Sequence, residues 1–198
     1  MSPITHFLMG WAVANSAPSL GRRDRALVTW ASVVPDIDGL GIIAEWATRN
    51  SNHPLNWWSD YHHVLGHNIG FAILVSASAA ILARQKLATT LLVFVSFHLH
   101  LLGDLVGARG PDGYQWPIPW LLPFSRHLQL IWSGQWALNA WPNLLVTALL
   151  LGTTLILARR RGFSPLEIFS RRADAAFVFA LRKRFLLKNR TNAGGHVF

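Results

Sequence analysis

Long apolar stretches alternate with short polar segments over most of this chain. Five of them approach the roughly 20 apolar residues that a helix needs to cross the hydrocarbon core of a bilayer. They cover residues 4–20, 26–47, 68–83, 87–108 and 136–158. The pattern predicts an all-α fold, an integral membrane helical bundle of about five spans. We expect residues 1–162 to form this transmembrane domain and residues 163–198 to form a basic amphipathic tail.

Local features refine the predicted spans. Pro35 lies inside the second stretch, and proline removes a helix hydrogen bond and clashes with the preceding turn. A broken second helix is therefore expected. Residues 68–83 and 87–108 are separated by only three residues, which predicts a tight helical hairpin.

The charges are unevenly distributed. Charged residues make up only 14% of the chain, against about 25% in soluble domains. Ten of the 18 basic residues follow Ala158. With an outer N-terminus, five spans place 15 basic residues on the inner side and three on the outer side, in line with the positive-inside rule. The sequence therefore predicts a multi-pass protein of the inner (plasma) membrane with an outer N-terminus and a cytoplasmic C-terminus.

The tail has a pattern of its own. Ser164, Pro165 and Glu167 match a capping box, which predicts a helix that begins at Ser164. Phenylalanine recurs there among many basic side chains, so we expect a helix that lies on the inner membrane surface. Membrane lipids are the expected partners. Nucleic acid is not, because no aromatic recognition motif accompanies the charge. His196 stands apart from other ligand-type residues and is not expected in a site.

Three aspartates, Asp36, Asp38 and Asp104, fall inside the predicted spans. A carboxylate at the centre of a membrane helix costs roughly 2.5–3.5 kcal/mol on insertion scales, so these residues need compensation. Every Lys and Arg lies in a linker or in the tail, which leaves protonation or a bound cation. The chain has no cysteine, so a metal must be held by histidine and carboxylate ligands.

Histidine accompanies one of these aspartates at helical spacing. His100 and Asp104 are four residues apart, so both lie on one helical face and suit zinc or another first-row metal. His98 lies about 200° round the same helix and is expected outside the site. His127 is expected outside it as well.

A second group of histidines leaves two alternatives open. His63 and His67 share a helical face, whereas His62 and His67 converge only if Gly66 breaks the helix. Asp60 is close enough in sequence to orient an imidazole.

The broken second helix supplies the third element of the predicted site. A helix break at membrane depth is tolerated where it lines a wet cavity, and Asp36 and Asp38 at such a break favour a cation. His6, at the outer end of the first stretch, is in a position to reach the same cavity. We therefore predict a divalent-metal site, with a proton pathway as the alternative.

The order of these motifs resembles that of a family of bacterial and archaeal membrane-bound metal-dependent hydrolases, long grouped as a domain of unknown function. The matching motifs are Thr5-His6 with Gly10, Pro35-Asp36-Ile37-Asp38, the pair His62 and His67, His100 with Asp104, and Trp116-Pro117. That family is distantly similar to zinc-dependent phospholipase C, which holds a multi-zinc cluster.

The resemblance implies a ligand set and a metal, which is zinc. The implied ligands are His6, Asp36, His62, His67, His100 and Asp104. It favours His62 over His63. The chain departs from the family at this pair: His63 stands where the family commonly has Arg, and Gly66-His67-Asn68 replaces Thr-His-Ser.

Two classes of function are consistent with these residues. The first is metal-dependent hydrolysis of a phosphoester or similar bond in a lipid or lipid-linked substrate, with Asp38 as the general base. The second is a non-enzymatic membrane protein, which is either a proton or cation transporter or a metal-stabilised structural protein. Intramembrane histidine and aspartate also build proton relays.

Overall fold

The computed structural model describes residues 1–193, and the side chains of residues 1–185, so His196 lies outside the described residues. The helices are α1 (Pro3–Ala14), α2 (Arg22–Ala31), α3 (Gly41–Thr48), α4 (Trp57–Tyr61), α5 (Ile69–Leu82), α6 (Lys86–Gly107), α7 (Trp141–Arg161) and α8 (Arg171–Ala193). Two 3-10 segments, Val34–Leu40 and Pro165–Ile168, interrupt this series. No β-strand occurs among residues 1–193. The predicted all-α class is confirmed.

Fewer helices qualify as membrane spans than the predicted five. By length and composition α6, with 22 residues, and α7, with 21, can each cross a bilayer. The pair formed by α2 and residues 34–48 qualifies as a third span if it is taken as one bent helix. At 1.5 Å per residue, α1 with 12 residues is about 18 Å long and α5 with 14 is about 21 Å. Both are shorter than the hydrocarbon core of about 30 Å.

The predicted break in the second helix is present. α2 ends at Ala31, and the chain continues as the 3-10 segment Val34–Leu40. The axis bends by 52° between α2 and residues 34–48. Pro35 stands in the first turn of that segment, where its missing N–H leaves no helical acceptor unsatisfied. The break buries Asp38 and leaves Asp36 partly exposed, instead of placing both along a straight helix.

The helices α1, α2, α5, α6 and α7 run back and forth between two ends of the bundle. At one end, called the basic end, Asp24 at the start of α2 accepts a hydrogen bond of 2.8 Å from the backbone N–H of Arg84, which precedes α6. Arg161 at the end of α7 donates at 3.0 Å to Asn15, which follows α1. The ends of α1 and α7 and the starts of α2 and α6 therefore lie at the basic end, and the predicted hairpin of α5 and α6 turns there.

The opposite end, called the ligand end, joins the start of α1 and the start of α7 to the end of α6. The hydroxyls of Thr5 and Thr147 are 2.7 Å apart. The side-chain amide of Asn143 donates to the carbonyl of Gly107 at 2.9 Å. The predicted metal ligands all belong to segments that meet at this end.

Close packing of α1 on α2 positions the residues beneath the ligand end. A Cβ on Gly10 would lie 2.1 Å from Oγ of Ser32 and 2.7 Å from the carbonyl oxygen of Thr29, so only glycine permits this approach. Ser32 Oγ then donates to the carbonyl of His6 at 2.6 Å. Trp11 is fully buried in the same region.

The tail is attached to the helical bundle through a buried ion pair. The predicted helix at Ser164 is a short 3-10 segment, Pro165–Ile168, and α8 begins only at Arg171. Glu167 does not complete a capping box as predicted. Its carboxylate instead binds Arg25 of α2, at 2.7 and 3.0 Å, and both side chains are buried. This contact crosses the predicted domain boundary at residue 162.

Candidate metal centre

Helix α6 presents two ligand-type side chains to the interior at its ligand end. His100 and Asp104, one helical turn apart, are both buried, and Nε2 of His100 lies 2.9 Å from Oδ2 of Asp104. The sequence spacing predicted this alignment. His98, on another face of α6, bonds through Nδ1 to the carbonyl of Phe94 at 2.8 Å and takes no part in the site.

Acceptors behind the rings determine which nitrogen of His100 and His67 faces the site. Nδ1 of His100 lies 2.9 Å from the carbonyl oxygen of Ser32, which can only accept, so Nδ1 carries the proton. Nδ1 of His67 lies 3.2 Å from Oδ2 of Asp38, which leads to the same assignment. In the neutral rings the Nε2 lone pairs are therefore free to bind a metal.

These two lone pairs converge on two carboxylates. The Nε2 atoms of His67 and His100 are only 3.1 Å apart. Oδ1 of Asp36 lies 3.8 Å from the first and 3.5 Å from the second. Oδ2 of Asp104 lies 3.4 Å from Nε2 of His67 and accepts no hydrogen bond among the described residues. A single proton between the two nitrogens forms a hydrogen bond for that pair alone. A cation can bind both nitrogens and the oxygens of Asp36 and Asp104.

His6 reaches the same carboxylate from α1. Its Nε2 lies 3.1 Å from Oδ1 of Asp104, and its ring packs on His100 with centroids 3.9 Å apart. The amino group of Met1 also contacts this oxygen. His6 is fully buried, and its Nδ1 has no partner among the described residues.

Two sets of ligand atoms share Asp36. One comprises Asp36, His63, His67 and Asp104, and the other comprises His6, Asp36 and His100; within each set all ligand atoms lie within 4.8 Å of one another. The buried residues therefore fit a bound metal ion, and their histidine and carboxylate chemistry suits zinc or a related divalent metal.

Asp38, which the sequence suggested as a general base, is hydrogen-bonded to two histidines and to the backbone. Its two oxygens accept from Nδ1 of His62 at 3.0 Å, from Nδ1 of His67 at 3.2 Å and from the backbone N–H of Gly66 at 2.9 Å. Gly66 is required for this contact, because a Cβ there would lie 2.0 Å from the carbonyl oxygen of Pro35. A buried carboxylate with three donors suits the orientation of an imidazole better than proton transfer to a substrate.

The structure places His63, and not His62, among the convergent ligand atoms. Residues 62–68 are not helical, as the alternative with a break at Gly66 required. His63 adopts a left-handed backbone conformation with φ of 64° and is buried. His62 instead binds Asp38 and stacks on Trp58 with ring centroids 3.8 Å apart. The ligand role that the resemblance gave to His62 therefore has no direct counterpart in this geometry.

In the metal-free protein the pKa of His63 is lowered and that of His67 is raised, although both residues lie just before α5. Burial, together with the charge of His67, lowers the pKa of His63 to about 2, so His63 is neutral. Burial also lowers the pKa of His67, but the carboxylates of Asp104 and Asp38 outweigh it and raise the pKa to about 9. A cation at this place must therefore displace a proton from His67.

A cavity of about 470 Å³ opens onto this group. Its lining includes Asp36, His63 and Asp104 together with Arg109, Trp58 and Trp116. Asp60 is exposed on α4 and lines a neighbouring cavity, so the alternative orienting residue that the sequence offered lies elsewhere. His127 is also exposed.

Sequence reasoning missed the contribution of Ser32. Its carbonyl orients His100 and its hydroxyl ties α2 to α1. A backbone acceptor carries no residue-type signal, so only the packing of α2 on α6 reveals it. Arg109, in contrast, was visible as a basic residue on the predicted outer side, but nothing in the sequence related it to the aspartates.

A family model described as YdjM inner membrane protein matches residues 1–181. The chain belongs to the YdjM inner membrane protein family. The YdjM match includes every residue of the candidate centre and extends across the predicted boundary at residue 162 into α8. No curated protein and no solved structure matches the chain. The predicted membership of a membrane protein family is confirmed, whereas no comparison shows a likeness to a hydrolase or to phospholipase C.

Proposed function

We propose that this YdjM-family protein is a membrane-bound metal-dependent hydrolase with its centre at the ligand end of the bundle. One observation carries the proposal. The Nε2 atoms of His67 and His100 face each other at 3.1 Å, and an acceptor behind each ring keeps a proton on its Nδ1. In the metal-free protein a proton on His67 supplies the positive charge that the nearby Asp36 and Asp104 require, and we propose that zinc takes the place of this proton.

The centre has ligand atoms for two ions. Asp36 belongs to both sets of convergent atoms, so we propose that it would help to hold both zinc ions. His63, His67 and Asp104 would hold the first, and His6 and His100 the second. Pairs of metal ions are common in enzymes that hydrolyse phosphoesters.

The residues around the metals have separate tasks in this proposal. When bound, zinc would lower the pKa of a bound water toward about 7 and polarise the scissile group. Asp38 fixes the rings of His62 and His67 and keeps the His67 lone pair directed inward. The aromatic walls of the cavity, Trp58 and Trp116, limit access of bulk water to the reacting group.

The position of the cavity supports a lipid or lipid-linked substrate. Leu40 and Gly39 line it, and the adjoining helix α3 has no buried residue and exposes Ile43 at 61% and Trp46 at 65%. Apolar side chains on such a surface suit an apolar surrounding. We propose that five helices traverse the membrane, with the short α1 and α5 shielded among longer neighbours, and that the ligand end faces outward.

The alternative of a transmembrane proton relay has less support. The buried titratable groups among residues 1–185 lie at the two ends of the bundle. Those at the basic end are already paired, such as Arg25 with Glu167. A relay requires exchangeable groups between the ends.

Metal analysis of the purified protein tests the proposal. In neutral detergent, the wild-type protein should retain one to two zinc ions per chain by elemental analysis. His100→Ala and Asp104→Asn should lose metal and melt at a lower temperature, because the remaining buried carboxylates are left uncompensated. His98→Ala and His127→Ala are the matched controls and should change neither quantity.

Turnover is measured on the same preparations. Zinc-loaded wild-type protein should hydrolyse a phospholipid or other lipid phosphoester in mixed micelles, and removal of zinc by a chelator should stop it. Wild-type protein that holds no metal at micromolar zinc would refute the metal centre. Metal-loaded protein that does not hydrolyse lipid phosphoesters would contradict the proposed hydrolase activity and favour a metal-stabilised structural protein.

A further inference from the structure

Arg109 lines the same cavity as Asp36, His63 and Asp104, and its backbone is held in place there. Its N–H donates to the carbonyl of Trp136 at 3.2 Å, and its own carbonyl accepts from the N–H of Leu138 at 3.2 Å. It follows α6 directly, five residues after Asp104, so the end of this helix fixes its place relative to the centre. The arginine and the ligand group therefore share the lining of one cavity of about 470 Å³.

The guanidinium of Arg109 has no protein partner among the residues whose side chains the structure describes. No carboxylate lies within 4.0 Å of it, and its side chain donates no hydrogen bond to those residues. Arg25, which is also shielded from solvent, is in contrast bound by both oxygens of Glu167. Arg109 is half-buried, and a guanidinium without a carboxylate partner retains donors that a bound anion can accept from.

The charge of the centre explains why a substrate needs this arginine. Asp36, Asp38 and Asp104 place three negative charges within one small region. An anionic group that approaches them is repelled unless positive charge compensates. Bound metal would supply part of that charge, and Arg109 adds a positive charge to the lining of the same cavity. The planar guanidinium fork matches the oxygens of a phosphate group in a bidentate manner.

The rest of the cavity indicates what is attached to the anionic group. Leu40 and Leu138 line it together with aromatic rings, and Leu40 also belongs to the exposed apolar segment that continues into α3. A ligand that satisfies both surfaces has a charged end inside and an apolar part outside.

We propose that Arg109 binds the phosphate group of an amphiphilic substrate in this cavity and thereby determines which substrates the centre accepts. The inference rests on the proposed function and adds the substrate class and the residue that recognises it. Arg109 is a specificity residue: it holds the anion beside the metals and is not one of their ligands.

Binding measurements on metal-loaded protein test the inference without any need for turnover. Calorimetric titration uses two probes, inorganic phosphate and dihexanoyl phosphatidic acid, on wild-type protein, Arg109→Gln, Arg109→Lys and Arg126→Gln. Arg126 is the matched control, because it is an exposed arginine that lines the neighbouring cavity beyond Trp116. Metal content is determined for every preparation.

We expect Arg109→Gln to lower the affinity for both probes about tenfold or more, which is the effect of a lost charge-assisted hydrogen bond. The metal content should stay unchanged. Arg109→Lys should recover part of the affinity, and Arg126→Gln should match the wild type. Tighter binding of the phosphatidic acid than of free phosphate identifies the ligand as a lipid headgroup. Equal binding of the two probes identifies the phosphate group alone as the recognised element.

The outcomes separate this inference from the proposed function. Metal-loaded Arg109→Gln that binds both probes as the wild type does would overturn the role of Arg109 and leave the metal centre intact. A metal-loaded wild type that binds neither probe overturns it as well. A wild type without metal that still shows Arg109-dependent binding supports the inference and refutes the metal centre instead.

Discussion

Oδ2 of Asp38 lies 3.2 Å from Nδ1 of His67, although 29 residues separate the two in sequence. The contact directs the free lone pair of His67 toward Asp36, Asp104 and His100. It couples the broken second helix to the loop before α5, two segments that the sequence presents independently. The orientation of His67, a candidate ligand, thus depends on Asp38, whose described contacts with histidine are those with His62 and His67.

Asp38→Asn should weaken zinc binding by about 10- to 100-fold, the usual effect of the loss of a residue that orients a metal ligand. The shape of the side chain is kept, so the protein should still fold. Competition with a chromogenic chelator measures the affinity, and Asp60→Asn, at an exposed carboxylate, is the control. Normal zinc affinity combined with lost turnover would instead favour the general base that the sequence suggested.

His63→Asn should lower zinc content more than His62→Asn does. Asparagine tolerates the left-handed backbone at residue 63, so the comparison tests the imidazole and not the fold. His62→Asn removes one of three donors to Asp38 and should leave most of the metal bound. The reverse order would show that His62 is the ligand, as the family resemblance implied.

The stability of the protein should depend on pH without metal and should be nearly independent of pH with it. In the metal-free protein the pKa of His67 is raised to about 9 from an unfolded value near 6.5, so its stabilising contribution is complete below about 6.5 and is lost as pH rises toward 9. In the zinc-loaded protein His67 carries no proton, and above pH 6.5 the unfolded chain carries almost none there either, so stability should stay nearly level over the same interval. Melting temperatures between pH 6 and 9, with and without chelator, measure both slopes. Parallel slopes would exclude His67 as a ligand.

Glu167→Gln should destabilise the bundle by about 3–5 kcal/mol, because it leaves the buried Arg25 without its counter-charge. A chain that ends after Arg161 loses the same contact and should melt at a lower temperature. A chain that ends after Phe185 keeps it and is the matched control. Thermal unfolding in detergent measures all three, and equal stability of the two shortened chains would show that the tail is independent of the bundle.

The orientation of the helices can be tested by labelling, since the chain contains no cysteine. Asn52→Cys and His127→Cys probe the ligand end, and Arg84→Cys and Lys183→Cys probe the basic end. A membrane-impermeant thiol reagent added to intact cells should label only the first two. Labelling of His127→Cys but not of Asn52→Cys would indicate three spans, with α5 on the inner side.

Residue types and spacing determined much of the candidate centre in advance. Helical periodicity alone placed His100 and Asp104 on one face of α6, and Pro35 alone predicted the break that turns Asp36 inward. These features are local, because they depend on the geometry of one helix and on the missing N–H of one residue. The all-α class followed from the apolar stretches for the same reason.

The tertiary structure decided what depends on contacts between distant segments. The choice between His62 and His63 depends on the backbone of residues 62–68, which Gly66 and Pro35 fix by close contact. The role of Asp38 depends on where the loop before α5 lies against the broken helix, and that of Glu167 on a partner 142 residues away. Spacing along the chain contains no information about such pairs, because their distance is set by how whole helices pack. The sequence could therefore name candidate side chains for the centre, whereas only the packed bundle determined which of their atoms face one another.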